Sequence, residues 1–280
     1  MTTDLYCVMG HPVSHSRSPW IHARFAELTG QQLHYEKREI PLAHFDASVH
    51  AFIREGGLGC NITVPFKFEA AKVASHTSER TVLAQAANIL TFKDGHILAD
   101  NTDGMGLVND IERNAGLPLK GLRLLLIGAG GAAAGVLGPL LHAGPAHISV
   151  ANRTLHKATE LVARHLPLAT QNHSELEAHT LHGLGDSFDV VINATATSLN
   201  GAAVPVAARV LKPGALACDM MYGPGAQGFM DWALAHGAVP RDGLGMLVEQ
   251  AAEAFLIWRG MRPPSGQVLA ELRAVIADGR

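Results

Sequence analysis

The sequence predicts an α/β protein built from two successive β–α runs, the second of them Rossmann-type. Three observations predict it. Short apolar runs alternate with helical patterns from Leu5 to about residue 100, and again from Leu122 to Asp219, as expected of largely parallel sheets. The second run opens on Leu122–Ile127 feeding directly into Gly128-Ala129-Gly130-Gly131-Ala132-Ala133, a GxGxxA turn between a strand and a helix. The 280 residues are 48% hydrophobic and 17% charged, enough for one large core or two ordinary ones, with no stretch of disordered composition.

The elements follow in order. Leu5–Met9 reads as a buried strand ending at Gly10. Ser18-Pro19 opens a helix, with Ser18 at the N-cap, Pro19 at the first helical position and Gly30 past the end. Ile21, Phe25 and Leu28 give it an apolar stripe. Leu33–Ile40 is the second strand and Leu42–Arg54 the second helix; Cys60–Val64 is a strand stopped by Pro65, and a helix runs on to about Ala74. Residues 84–99 form two strands with a turn at Asp94-Gly95. Gly104 to Leu117 is helical. After the glycine turn come a helix to about His142, a strand at His147–Ala151, a helix from Thr154 to about His165, and strands at Val190–Asn193 and Leu216–Asp219. Leu244, Leu247, Val248, Ala251, Phe255 and Trp258 share one helical stripe, Gly260 to Pro264 breaks it, and a last helix covers about Gly266–Ile276. Glycines at 104–106 and 243–245 mark where the chain is expected to cross between domains.

Composition excludes several classes. With 22 basic and 25 acidic side chains and a net charge of −3, no strongly basic face is available for a nucleic acid or an anionic membrane. The 16 histidines form no HxH or HExxH pattern, and Ala99 removes the first ligand of a calcium loop at 99–110, so no metal is expected. Cys7, Cys60 and Cys218 fit neither a disulfide framework nor a zinc site. Met1 to Tyr6 shows no secretion signal, and the expected location is cytoplasmic. Leu124 to Leu141 is free of charge, but its clustered glycines and Pro139 read as strand, turn and helix, not as a membrane span.

Two constellations carry chemistry. In the glycine turn, residues Gly128, Ala129, Gly130, Gly131 and Ala132 let the backbone approach a pyrophosphate at a helix N-terminus. An NAD site places an acid after the next strand to hold the ribose 2′-hydroxyl. Here that strand ends in Asn152-Arg153-Thr154, with Lys157 one turn on: no acid, and two cations where a 2′-phosphate would lie, so NADP is the expected cofactor. The N-terminal half supplies Ser14, Ser16 and Ser18, then Asn61 to Lys67, then Asp100 to Gly104. Taken singly each has a plain structural explanation: Ser18 as a helix cap, Lys67 as a solvated first-turn residue, Asp103-Gly104 as a turn.

Together, in this order and ahead of the glycine turn, they resemble the shikimate dehydrogenase family. The matching segments are Gly10 to Pro19, Asn61 to Lys67, Asn88, Asp100 to Gly104, Gly128 to Ala132, Asn152 to Thr154, Asn193 to Thr195, Asp219 to Tyr222 and Asp242 to Ala251, spanning about residues 5–260. The resemblance implies a substrate domain over 1–103 completed by 244–280, a dinucleotide domain over 104–243, and an active cleft between them. It implies that Ser16 and Ser18 hold a substrate carboxylate, that Thr63, Asn88, Asp103 and Gln250 meet ring hydroxyls with Asn61 in support, and that Tyr222 joins the substrate contacts. Lys67 would be the acid/base, oriented by Asp103. Asn193, Thr195, Met220 and Gly243 would join the cofactor contacts. The implied reaction is reversible reduction of 3-dehydroshikimate to shikimate, in aromatic amino-acid biosynthesis, by a monomer or homodimer. By helical angle Gln250 lies roughly 60° off the apolar stripe, free to face a site.

Two departures stand out. Many relatives carry Ser-Arg before the last glycine of the phosphate turn, whereas Ala133-Ala134 precede Gly135 here. After Asn193-Ala194-Thr195 comes Ala196-Thr197-Ser198-Leu199 in place of a Ser or Pro and a Gly. Two alternatives stay open from the sequence. One is a quinate/shikimate dehydrogenase with broader substrate or NAD use. The other is a non-catalytic dinucleotide sensor, against which the retained Lys67, Asp103 and serines speak.

Overall fold

The computed structural model describes residues 3–185, 187–195 and 204–278. The chain divides into two compact units, one formed by residues up to Gly106 together with those from Val248 onward, the other by Leu107–Leu247. The first run comprises β1 (Asp4–Gly10), α1 (Ser18–Thr29), β2 (Leu33–Glu39), α2 (Phe45–Arg54), β3 (Gly57–Ile62), α3 (Lys67–Val73), β4 (His76–Thr77), α4 (Glu79–Ala84), β5 (Ile89–Lys93) and β6 (His96–Asp100). Next come α5 (Asp103–Asn109), β7 (Arg123–Ile127), α6 (Gly131–His142), β8 (His147–Ala151), α7 (Leu155–Gln171), β9 (Glu175–His179) and β10 (Phe188–Asn193). The chain ends with β11 (Leu211–Asp219), α8 (Gln227–Ala235), β12 (Val239–Arg241), α9 (Leu244–Arg259) and α10 (Ser265–Ala277).

The first unit is a six-stranded sheet in the order β2-β1-β3-β5-β6-β4. Only β5 runs antiparallel to its neighbours, because the Asp94-Gly95 turn, with φ of 51° and 77°, folds it back as a hairpin onto β6. Strand β1 is apolar on both sides because both faces of the sheet are covered. Cys7 and Met9 enter a core with Phe45, Phe52, Cys60 and Phe66, while Tyr6 and Val8 enter another with Val13 and Tyr35. Trp258 of α9 stacks on Tyr6 at 4.6 Å, packing the C-terminal helices onto that second face.

The second unit is a wholly parallel six-stranded sheet ordered β12-β11-β10-β7-β8-β9. Counted within the unit this is 3-2-1-4-5-6 read from the β9 edge, the doubly wound dinucleotide-binding order. Its switch point lies between β7 and β10, where ligands bind at the carboxyl ends of the strands.

Several boundaries differ from the sequence reading. Ser18 is the first helical residue of α1, not its cap; Arg17 precedes it and its side chain makes no capping hydrogen bond. Strand β3 begins at Gly57, so Thr63 and Val64 already lie in the turn before α3, and α2 begins at Phe45 instead of Leu42. Residue 84 ends a helix, α4, that the sequence reading placed at the start of a strand. The helix expected to reach Leu117 stops regular α-geometry at Asn109 and finishes as a π-helical turn over Asp110–Asn114. Helix α7 runs past Pro167 to Gln171, because Leu168 and Ala169 stay buried while the carbonyl freed on Ala163, four residues before the proline, belongs to an exposed residue. The units meet in sequence at 106/107 and 247/248, a few residues beyond the 103/104 and 243/244 boundaries expected.

Candidate active site

In the first unit the carboxyl end of β3 and the two strands of the hairpin bring a polar cluster together. Lys67 is the first residue of α3, and its Nζ lies 2.5 Å from Oδ2 of Asp103 at the start of α5. Asn88, just before β5, holds the other carboxylate oxygen: its Nδ2 donates to Asp103 Oδ1 at 2.8 Å and to Thr102 Oγ1 at 3.0 Å. Which way this amide points is settled by its far end, since Oδ1 accepts the Thr102 backbone N–H at 2.8 Å, a group that can only donate. Asn88 Nδ2 also reaches Gln250 Oε1 of α9 at 3.3 Å. Asn101 completes the frame, accepting the Asp103 N–H at 3.1 Å on Oδ1 and donating to the Ala86 carbonyl at 3.0 Å. Asn61, Asn88, Asn101, Thr102, Asp103 and Gln250 are all buried.

Burying so many polar groups is tolerable only because they satisfy one another. The cost is reduced further outside the cluster. Arg80 clamps Asp100 with two hydrogen bonds, at 3.0 and 2.5 Å, and Ser78 adds a third to the same carboxylate. Burial works against the charge on Asp100, yet the Arg80 and Ser78 hydrogen bonds hold its carboxyl below the ordinary range. On α9, Glu253 reaches Arg80 and Arg262, and buried Glu249 accepts from Arg262 at 2.5 Å and Ser265 at 2.7 Å. The 100–103 segment and the Gln250 face of α9 are thus framed by one chain of ion pairs. Ser16 and Ser18 stand at the entry of α1; Ser16 Oγ accepts the Ser18 N–H at 3.3 Å, and Ser18 is buried.

In the second unit the residues expected to meet a dinucleotide are drawn together by backbone hydrogen bonds across the carboxyl ends of neighbouring strands. Gly128 N–H donates to Ala151 at 2.8 Å, Ala194 to Ile127 at 2.9 Å, Met220 to Asn193 at 3.0 Å and Gly243 to Met221 at 2.8 Å. Gly128 has φ +114°, and a Cβ there would also lie 3.2 Å from the Ala194 carbonyl oxygen, so only glycine fits. A Cβ on Gly130 would meet no protein atom within 4 Å, so the space over the α6 N-terminus is open. Arg153, Thr154 and Lys157 are exposed beside it, and among the described residues neither cation forms an ion pair. An open glycine turn at a helix N-terminus with two uncommitted cations fits a phosphorylated dinucleotide. Beneath it Asn193 donates to Asp219 at 3.0 Å and accepts from Thr195 Oγ1 at 2.7 Å, pinning the ends of β10 and β11.

Comparison with known proteins points to one family. The substrate-binding domain of shikimate dehydrogenase matches residues 8–90, shikimate/quinate 5-dehydrogenase matches 111–208, and the shikimate 5′-dehydrogenase C-terminal domain matches 243–273. A shikimate dehydrogenase (NADP(+)) of Acidovorax sp. (strain JS42) is 64% identical over 276 residues, 99% of this chain and 98% of that one. The chain belongs to the shikimate dehydrogenase family. Among solved structures, an Ael1 enzyme from Pseudomonas putida shares 47% identity with a TM-score of 0.90, covering 96% of this chain and 98% of that one. A shikimate 5-dehydrogenase from Thermus thermophilus, solved with NADP(H) and shikimate, shares 29% identity with a TM-score of 0.81 over 97% and 99%.

Against the family pattern, Asn61, Lys67, Asn88, Asp103 and Gln250 join one hydrogen-bonded cluster. Thr63 follows β3 directly, while Ser16 and Ser18 stand in the same unit at α1. Tyr222 belongs to the second unit, just beyond β11. The segment 196–203, where the sequence departs from many relatives, lies outside the described residues. Gly243 and Gly245, read from sequence as marking a crossing between domains, have a packing reason: a Cβ on Gly243 would come within 2.3 Å of the Met220 carbonyl oxygen, and one on Gly245 would overlap the Asp110 carboxylate. That carboxylate is buried and gripped by Arg241 through two hydrogen bonds of 2.6 and 2.5 Å. Sequence reasoning gave no role to Tyr35, Arg80, Asn101 or Thr102. The signal for Tyr35 was its position as a lone aromatic in the otherwise polar run His34 to Glu39.

Proposed function

We propose that this chain is an NADP-dependent shikimate dehydrogenase that reduces 3-dehydroshikimate reversibly to shikimate. In this reading the first unit binds substrate and the second binds NADP. The observation that carries it is the Lys67–Asp103 pair, 2.5 Å apart inside a ring of buried amides, in a chain 64% identical to a shikimate dehydrogenase (NADP(+)). NADPH, when bound, supplies the hydride, which no side chain can, and NADP(+) takes it back in the oxidation. Lys67 Nζ then holds the proton delivered to the carbonyl oxygen during reduction and recovered from the hydroxyl during oxidation. Asp103 keeps that ammonium in place, and the Asn88 bond to its second oxygen keeps the carboxylate from rotating away.

Ser16 and Ser18 hold the substrate carboxylate by donated hydrogen bonds, away from the reacting carbon. Thr63, Asn88, Asp103 and Gln250 read the ring hydroxyls with Asn61 beside them, and Tyr222 is assigned to the substrate as well. Gly128 to Ala132 receive the pyrophosphate, while Arg153 and Lys157 meet the 2′-phosphate beside Asn152 and Thr154. Asn193, Thr195, Met220 and Gly243 line the remaining cofactor side. No nucleic-acid or membrane partner is part of this reading. No described helix is long and apolar enough to cross a membrane, and no described group of three or more His, Cys, Asp or Glu could hold a metal ion.

The test is steady-state kinetics with shikimate and quinate, each against NADP and NAD. Turnover of shikimate with NADP at the highest kcat/KM of the four pairs is expected. A preference for quinate, or equal use of NAD and NADP, would replace it with the broader quinate/shikimate activity. No turnover in any arm, with dinucleotide binding retained, would favour a sensor.

A further inference from the structure

Behind the substrate cluster, on the face of the first sheet covered by α1, sits a buried aromatic pair that the reaction does not use. His22 of α1 lies flat on Tyr35 of β2, ring centroids 4.3 Å apart and 4° from parallel, and Phe25, Phe255 and Trp258 close around the imidazole. His22 is 1% exposed, and neither ring nitrogen makes a hydrogen bond of ordinary geometry. Burial keeps the imidazole neutral, its pKa lowered to about 3, so it serves as a flat uncharged platform. The phenol that rests on it is not idle: Tyr35 Oη donates to Asn61 Oδ1 at 2.7 Å.

Asn61 is held at its other end as well. Its Nδ2 donates to the Asn88 carbonyl at 3.4 Å, an acceptor only, which fixes which end of the amide is nitrogen. Tyr35 holds Oδ1, which also faces the His22 imidazole, and Asn88 takes one hydrogen of Nδ2, so the amide keeps one N–H in a set direction. That N–H can donate to the oxygen of a hydroxyl. The Asn88 bond is the longer of the two, so the Tyr35 bond is the tighter constraint.

We propose that Tyr35, seated on His22, is a positioning residue that locks the Asn61 amide in the orientation that recognises a substrate ring hydroxyl. Tyr35 touches no reacting atom; its hydroxyl also lies within reach of Ser18, and the lock acts through Asn61. This rests on the shikimate reading above for the identity of the hydroxyl, but not for the lock itself.

The experiment is Tyr35→Phe, which keeps the ring and its stacking and removes only the hydroxyl, set in a cycle with Asn61→Ala. KM for shikimate should rise about tenfold, the scale of one lost neutral hydrogen bond to a buried acceptor, while KM for NADP stays put and kcat changes much less. In the Asn61→Ala background the same Tyr35→Phe change should leave KM for shikimate where Asn61→Ala put it. An unchanged KM in Tyr35→Phe, or an equal rise in both backgrounds, overturns the proposal. The side-chain amide resonances of Asn61, assigned by their loss in Asn61→Asp, test the lock without any substrate. They should shift or broaden in Tyr35→Phe, and identical signals refute the lock. If the wild type instead fails to turn over shikimate, the functional reading falls while the amide signals still judge the lock.

Discussion

Replacing His22 with Phe should make the first unit more tolerant of acid, and the size of the effect follows from burial. An unfolded chain protonates His22 near its ordinary pKa of 6.5, whereas in the folded protein burial lowers that value to about 3. Above pH 6.5 both states carry a neutral ring and the residue is silent. Between 6.5 and 3 the unfolded state takes up a proton that the folded state refuses, so stability falls as pH falls, by about 1.4 kcal/mol for each pH unit. At pH 5 the penalty is about 2 kcal/mol, and near pH 3, where the folded state begins to take up the proton too, about 4 kcal/mol. Phe keeps an aromatic ring against Tyr35 but cannot be protonated.

Urea unfolding at pH 7.5 and pH 5, followed by tryptophan fluorescence in a Trp232→Phe background, reports on this unit through Trp20 and Trp258. Acidification should lower the wild-type midpoint by about 1 M more than the His22→Phe midpoint, for an m-value of about 2 kcal/mol/M. Carboxylates whose pKa values are lowered by their partners, such as Asp100 and Glu271, lose their contribution in both proteins and cancel in the difference. Any fixed cost of fitting Phe into the site cancels too. Midpoints that fall in parallel would mean that His22 is protonated in the folded state, and the burial reasoning would be wrong.

Further outcomes are expected at the site. Lys67→Ala should lower kcat by roughly 10²–10⁴-fold with NADP binding nearly intact, measured by steady-state kinetics and cofactor titration; wild-type kcat would remove its acid/base role. Ser16→Ala with Ser18→Ala should raise KM for shikimate through loss of charge-assisted bonds worth about 1.5–3 kcal/mol each. Ser18 caps no helix and the Ser16 bond to the first helical N–H is long, at 3.3 Å, so thermal stability should change only modestly; a drop in Tm with unaltered KM would make both serines structural. Arg153→Ala should weaken NADP by about 1.5–3 kcal/mol, on the order of 10- to 150-fold, and hardly touch NAD, since only NADP carries the 2′-phosphate. The loss should shrink with added salt, and an equal loss for both cofactors would relocate the phosphate contact.

Much of this protein was legible in its residue order. Alternation of apolar runs with helical stripes gives the α/β class, because strands covered on both faces must be apolar and helices packed on them must be amphipathic. The GxGxxA turn and the missing acid after β8 were readable because backbone approach and charge are local properties. Lys67, Asn88, Asp103 and Gln250 could be picked out by motif, although the first and last of them stand 183 residues apart in the chain. Edge strands other than β2 were not legible: β4 has two residues, β9 reads Glu-Leu-Glu-Ala-His, and β12 has three residues, so these short or half-exposed strands leave almost no apolar period.

Tertiary structure alone decided the rest. Helix α7 passes Pro167 because packing of the residues beyond it outweighs the lost hydrogen bond, which no local propensity reveals. Ser18 looked like a cap from its neighbours, but the chain turns one residue earlier. The orientation of Asn88 and Asn61 depends on a backbone N–H at Thr102 and a phenol at Tyr35, groups brought near only by the folding of the sheet. Sequence determined which groups are present and which local shapes they favour; the direction of each hydrogen bond, and so the chemistry a group performs, is a property of distances between residues far apart in the chain.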